Sequence, residues 1–326
     1  MPGNGTSNRI VIRCAALFVA LTLAGCSIFT PEIEPVGEPV IVSVPVIVEP
    51  DQPVKPPEKP PEPRLPPVAI VLTSSQPAFV DVANALSEHL DDFQIFDLSD
   101  GSQPPVSVLR VINDSNSGTV VAIGLRAAKS SVAMAKMPVI FSQVFNHQDY
   151  GLLTDHSRGI APLAPLDAQL AAWTEVDPTI SRIGIIIGEG HDELLTEARL
   201  AAQKHNVELR VRIAHSDQET LYLFRRMSHD IDGFWLFPDN RILSARSLQQ
   251  ILESAKRGQV AVAVPYESML TMGATISMAT QAEDIAATIT KIIRQIHEGG
   301  LRSVPAISPL SAVRVVTRGG AKVANR

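Results

Sequence analysis

His191, Asp192 and Glu193 bring an imidazole and two carboxylates together, the donor types that a zinc ion or another divalent metal takes. Three consecutive residues at a helix start point in different directions, and acidic side chains favour the first helical turn in any case. The run therefore reads as a helix N-terminus rather than a metal site. His147, His156, His205, His215, His229 and His297 are scattered without ligand spacing. Gly184, Gly188 and Gly190 have the wrong spacing for a dinucleotide turn, and neither a P-loop nor a Gly-x-Ser-x-Gly nucleophile elbow is present. The side chains thus predict no catalytic residue, no metal and no cofactor.

The remaining reactive group is the thiol of Cys26, at the end of Leu23-Ala24-Gly25-Cys26. Arg9 and Arg13, the apolar run from Cys14 to Ala24 and the small residues before Cys26 have the order of a secretory signal peptide. About eleven apolar residues are too few to span a bilayer. The Leu-Ala-Gly-Cys ending also resembles the lipobox of bacterial lipoproteins. That resemblance implies cleavage before Cys26, acyl chains on its sulfur and new amino group, and a membrane anchor outside the cytoplasm. Cys14 leaves with the signal, so the mature chain has one cysteine and no intrachain disulfide. Ser27, rather than Asp, follows Cys26. By analogy with enterobacterial lipoproteins, this favours the outer membrane over the inner.

The chain has 28 Lys and Arg against 34 Asp and Glu, a net charge of −6. Loss of Arg9 and Arg13 makes the mature chain more acidic still. An acidic chain excludes nucleic acid as the expected partner, because phosphate binding needs a basic surface. Residues 28–67 are proline-rich, with Pro-Val-Ile-Val repeats and then Pro56-Pro57-Glu58-Lys59-Pro60-Pro61-Glu62-Pro63. Proline fixes φ and removes backbone donors, so polyproline II is the expected local state. At about 3.1 Å per residue, such a tether reaches on the order of 100 Å. Ile41-Val42, Val44 and Val46-Ile47-Val48 are apolar for a spacer, and could instead add a strand to something.

From residue 68 the pattern is strand, helix, strand. Val68–Leu72, Thr119–Ile123, Pro138–Phe141 and Arg182–Ile187 read as strands, and the unbroken apolar run of Val68–Leu72 is that of a strand buried on both faces. Helices are expected over 77–90, 104–114, 125–135, 166–176, 191–204, 217–228 and 244–257. A long helix carries the stripe Ile285, Ile289, Ile292, Ile293, Ile296 and ends at Gly299-Gly300. Further strands are expected at 207–213, Gly233–Phe237, Val260–Ala263, Ala274–Met278 and Ala312–Thr317. Two blocks of this alternation predict an α/β protein of two Rossmann-like lobes with parallel sheets, hinged around a cleft.

Several segments together resemble the ABC transporter substrate-binding family that includes tryptophan and tyrosine binders. They are helix 166–176 with Asp177-Pro178-Thr179-Ile180-Ser181-Arg182-Ile183-Gly184, then Phe237-Pro238-Asp239-Asn240, Val264-Pro265-Tyr266-Glu267 and Gly273-Ala274-Thr275. The resemblance covers residues 68–317 and implies a type 1 periplasmic-binding-protein-like fold. On that reading, 1–25 is the signal, 26–67 the lipidated cysteine and tether, and 318–326 a tail. The first lobe holds 68–155 and 274–317, and the second holds 156–273.

The resemblance implies a small ligand between the lobes, in some members an aromatic amino acid. It places Ser74, Ser75, Gln76, Gly124, Gln143 and Phe145 on the first-lobe side of the cleft. The helix starting near Pro77 offers N–H groups to a carboxylate, and Ser75 is either a donor to the ligand or a cap for that helix. From the second lobe come Asp239, expected to meet an ammonium group, with Asn240, Tyr266 and Glu267. Phe145, Phe237 and Tyr266 could stack on a planar ligand. Two departures are visible. Gln143-Val144-Phe145 replaces the family's Asp-Pro, and His156-Ser157-Arg158-Gly159 replaces its Asn-x-Thr-Gly; Arg158 is either a clamp for a carboxylate or a sign that the ligand differs or that transport binding is lost.

Two functions follow as expectations. The first is a periplasmic, lipid-anchored receptor that passes a small molecule to an ABC permease. The second is an envelope lipoprotein that uses the same fold to engage another envelope protein without transport.

Overall fold

Val68–Leu72 (β1) and Thr119–Ile123 (β3) are buried at every residue, as the unbroken apolar runs predict for central parallel strands. The computed structural model describes residues 65–101 and 103–319, together with the backbone of Lys322–Val323. The signal, Cys26 and the tether as far as residue 64 lie outside the described residues. Between and beside β1 and β3 stand Pro77–Ser87 (α1), Phe93–Asp97 (β2), Pro105–Asp114 (α2), Leu125–Met134 (α3), Val139–Ser142 (β4) and Ser157–Ile160 (β5). The second block contains Leu166–Val176 (α4), Arg182–Ile187 (β6), Asp192–Lys204 (α5), Glu208–Ile213 (β7), Asp217–Met227 (α6), Gly233–Trp235 (β8), Ala245–Gly258 (α7) and Ala261–Val264 (β9). Ser268–Met272 (α8), Ile276–Ala279 (β10), Ala282–Gly299 (α9), Ile307–Ser308 (β11), Arg314–Thr317 (β12) and Lys322–Val323 (β13) complete the order.

The first sheet runs β11-β5-β4-β3-β1-β2 and is parallel throughout. On one face Val82, Ala83 and Leu86 of α1 meet Ile285, Ile289, Ile292 and Ile293 of α9 over the strands. On the other, Val108, Leu109 and Ile112 of α2 join Ala127 and Ala128 of α3. Each fully buried Ile or Leu contributes roughly 1.5–3 kcal/mol, so the isoleucine stripe binds α9 to this lobe firmly.

The second sheet runs β13-β12-β10-β9-β8-β6-β7, parallel except that β12 is antiparallel to β10, and β13 to β12. Helices α4 and α5 cover one face with Leu166, Leu170, Trp173, Leu195 and Ala198. Phe224 and Met227 of α6 and Leu248, Ile251 and Leu252 of α7 cover the other. The buried Trp235 indole donates to Gln169 Oε1 at 3.0 Å, and the Gln169 amide donates to the Ala164 carbonyl at 2.7 Å. Two buried polar side chains are thereby satisfied inside an apolar layer.

The strands assign the lobe boundaries differently from the sequence reading. Ser157–Ile160 pairs with β4 and belongs to the first sheet, not to the second lobe. Ile276–Ala279 pairs with β9, and Arg314–Thr317 pairs with β10, so both belong to the second sheet, not to the first lobe. Only α9 and β11 return to the first lobe. Strand identity is visible in a local apolar run, whereas strand partnership is a non-local fact. Gly273, read as the last residue of the second lobe, ends α8 inside that lobe at φ +126. The chain instead crosses three times, at 161–165, 280–281 and 309–313. Among the described residues no helix is long and apolar enough to cross a membrane.

Candidate functional site

Parallel strands deliver their following loops to one edge of each sheet. The loops after β1, β3 and β4 come from the first lobe, and those after β6, β8, β9 and β10 from the second. They form two neighbouring arrangements, one closed and one open.

The closed arrangement centres on Asp239, which follows β8 and is fully buried. Its Oδ2 accepts from the Gly188 amide at 2.9 Å and from Arg241 Nη2 at 2.8 Å. Its Oδ1 accepts from the Arg241 amide at 3.1 Å, from Arg241 Nε at 2.9 Å and from Asn146 Nδ2 at 3.0 Å. Burial alone would raise the Asp239 carboxyl, but the Arg241 guanidinium and the other donors outweigh it and hold it well below the usual carboxylate range. Arg241 Nη2 also lies 2.6 Å from His191 Nε2. A guanidinium only donates, so His191 Nε2 is the acceptor.

Asn146 belongs to the first lobe, and its amide also donates to Asn240 Oδ1 at 2.8 Å. Asp149, in the 3₁₀ turn His147–Tyr150, pairs with Arg241 Nη1 at 3.1 Å. Phe145 stacks on Phe237 with ring centroids 6.4 Å apart and planes 14° apart, and lies 4.9 Å from the His191 ring. The two polar contacts differ in weight. The Asp149–Arg241 pair is partly solvated and contributes at most about 1 kcal/mol. The buried Asn146 bond to a charged acceptor contributes about 1.5–3 kcal/mol.

The open arrangement is a groove of about 890 Å³. Its first-lobe wall carries Gln76, Phe79, Asp81 and Gln143, and its second-lobe wall Tyr266, Glu267 and Arg314. The crossover residues Thr280 and Gln281 and the start of α9 at Glu283 also line it. Arg314 is ion-paired with Glu267. The first turn of α1 holds no acidic residue and no side-chain cap; Pro77 has no N–H, and the Phe79 and Val80 amides donate to the Gln76 carbonyl at 2.9 and 3.1 Å, so the dipole end and the Ala78 amide are what this turn offers.

A model of the ABC transporter substrate-binding protein family matches residues 81–308. The chain belongs to that family. No curated protein matches it. Solved structures share its fold. One is a substrate-binding protein with adhesive properties, CD0873 from Clostridium difficile, in a ligand-free, open structure. It is 13% identical, with a TM-score of 0.59 over 79% of this chain and 96% of that one. Another is an ABC domain from Streptococcus pneumonia in complex with L-Trp, 17% identical, with a TM-score of 0.54 over 77% and 91%. A conserved domain protein from Vibrio cholerae is 16% identical, with a TM-score of 0.53 over 80% and 96%.

Within this substrate-binding protein, four of the expected contact residues reach the groove: Gln76, Gln143, Tyr266 and Glu267. The others have different surroundings. Ser75 does not cap α1, because Gln76 holds the cap position and Ser75 Oγ donates to Asp97 Oδ2 at 2.5 Å. Ser74 Oγ is buried without a partner. Gly124 is buried beneath Thr73 and Phe79. Arg158 donates to the carbonyls of Val304, Thr154 and Ser157 at 3.0, 3.1 and 2.7 Å, so its guanidinium pins the β5 edge instead of projecting as a clamp. Phe145, Asp239 and Asn240 are engaged between the lobes. Asp239 in particular meets a guanidinium of its own chain where an ammonium was expected.

Sequence reasoning missed Asn146, Asp149 and Arg241, and set His191 aside with the metal reading. The available signal was polar residues placed just past strand ends, in Asn146-x-x-Asp149 and Asp239-Asn240-Arg241. It also missed Phe79, Glu283 and Arg314, the last because β12 pairs in the second sheet and not in the first lobe where it was expected.

Proposed function

We propose that this protein is a solute receptor outside the cytoplasm, lipid-anchored through Cys26, and that its solute occupies the groove between α1 and the β9–α8 turn. The observation that carries this reading is the groove itself. It is walled by both lobes and by the crossover residues, and its volume lies within the roughly 300–1,000 Å³ of small-molecule sites. The ligand class is a small organic solute such as an amino acid. The α1 N-terminus favours a carboxylate, Glu283 and Glu267 favour an ammonium group, and the exposed Tyr266 ring offers a stacking face. The protein acts by binding, not by catalysis. Its downstream partner on this reading is an ABC permease, reached across the periplasm by the tether from an outer-membrane anchor.

Thermal unfolding of the full chain against amino acids, nucleosides and small organic acids tests this. A solute at 100 times its Kd stabilises the fold by about 2.7 kcal/mol. Tyr266→Ala should abolish the shift, and a shift that survives this change would place the site elsewhere.

A second reading has its own supporting observation. The contacts of Asn146 and Asp149 with the second lobe join the lobes through the chain's own side chains, which suits a rigid interaction module. Absence of any shift across the panel, with co-purification of an envelope protein, would favour that reading.

A further inference from the structure

We infer that the loop 143–151 is a latch, in which Asn146 and Asp149 of the first lobe hold Asp239, Asn240 and Arg241 of the second and fix the lobe orientation with no solute bound. This inference stands whether or not the groove takes a solute.

The two halves of the latch are built differently. The second-lobe half is complete by itself. Asp239 keeps the Gly188 amide and three Arg241 donors even without Asn146. Gly188 has no side chain for a reason: a Cβ there would lie 2.6 Å from Asp239 Oδ2 and 2.8 Å from Arg241 Nη2. Arg241 is thus held as a fixed donor whose outer nitrogen Nη1 is left for Asp149.

The first-lobe half is a shaped loop. It begins at Gln143, a non-glycine residue at φ +57, and ends at Gly151, φ +58. Between these left-handed positions the 3₁₀ turn sets Asp149 three residues beyond Asn146. Both amide hydrogens of Asn146 are used across the lobes, on Asp239 Oδ1 and Asn240 Oδ1. The Phe145 ring packs on the second-lobe core beside Phe237. An uncommon backbone conformation at Gln143 persists only where surrounding contacts determine it. Gln143 itself is held within its own lobe, its side-chain amide donating to the Ala78 carbonyl at 3.1 Å, while Phe145, Asn146 and Asp149 beyond it reach the other lobe.

Hinged binding proteins stay open until a ligand bridges the lobes. In this chain a bridge is intramolecular, so one lobe orientation dominates before any ligand arrives, and a solute in the groove adds no further closure.

The test is a distance distribution between the lobes. Spin labels are carried by ketone-bearing residues at the exposed positions 111 on α2 and 200 on α5, leaving both cysteines of the full chain untouched. The solute-free protein should give one narrow peak. Asn146→Ala/Asp149→Ala should broaden it and add a second population at a changed distance, with the circular dichroism spectrum unchanged. Asn146→Asp, which keeps the volume but sets a carboxylate against Asp239, should shift it at least as far. A broad distribution in the solute-free wild-type chain would overturn the inference. So would an unaltered narrow peak in both folded variants.

Discussion

The main-chain N–H of Gly188 donates to Oδ2 of Asp239 at 2.9 Å, joining the end of β6 to the loop after β8. A side chain at 188 has no space in which to avoid that carboxylate or the Arg241 guanidinium. Gly188→Ala should therefore destabilise the second lobe by about 1–3 kcal/mol, the usual cost of overpacking. Urea unfolding measures it, and a change below 0.5 kcal/mol on that order-of-magnitude scale would mean that the loop yields easily.

Asp239→Ala separates two readings of the same carboxylate. If Asp239 met the solute, its loss would lower affinity and leave stability intact. The geometry points the other way. Removing it leaves the Arg241 guanidinium, whose side chain is 30% exposed, without its anchor. Partial solvation softens the penalty for an orphaned charge, so the expected loss is about 2–3 kcal/mol. Thermal unfolding checks the stability loss, and a solute titration checks that affinity changes less than in Tyr266→Ala.

Acid should weaken the fold in two steps. Burial pushes the His147 imidazole below its ordinary value of 6.5, because the folded protein favours its neutral form. The unfolded chain then binds the extra proton more readily. The stability that His147 contributes is complete above pH 6.5 and is lost as pH falls through 6.5 toward the lower folded value. A single group limits the slope to about 1.4 kcal/mol per pH unit. His147→Phe should flatten the melting temperature between pH 7 and 5. Asp239, held low, contributes stability that is complete above its unfolded value of about 3.9 and declines only below it.

Part of this arrangement was legible in the residues. The unbroken runs of β1, β3 and β6 and the isoleucine stripe of α9 follow from local periodicity, and they fix the fold class. The rule that ligand loops follow parallel strands brings Gln76, Gln143, Tyr266 and Glu267 to the wall of the groove. It did not foretell the partner of Asp239, because a lone acidic residue at a strand end does not reveal that Arg241, two residues on, folds back upon it. It failed again for Glu283 and Arg314, because the groove needs the non-local pairings of β10 with β9 and β12 that no window of sequence contains.

Gly124 connects backbone conformation to the groove. It sits between β3 and α3 at φ +84 and ψ 168, a region open essentially to glycine alone. A Cβ there would also lie 2.7 Å from Thr73 Oγ1 and 2.9 Å from the tip of the Phe79 ring. Thr73 Oγ1 accepts from the Ala127 amide at 3.0 Å and cannot retreat without breaking that bond. Phe79 is then the side chain that moves, and it lines the groove. Gly124→Ala should lower stability by about 1–3 kcal/mol through backbone strain and weaken solute binding without touching the solute. Adding Phe79→Leu relieves the ring contact but not the strain. It should restore solute affinity toward that of Phe79→Leu alone while the melting temperature stays low. Recovery of the melting temperature instead would show that crowding, not φ, makes glycine necessary at this turn.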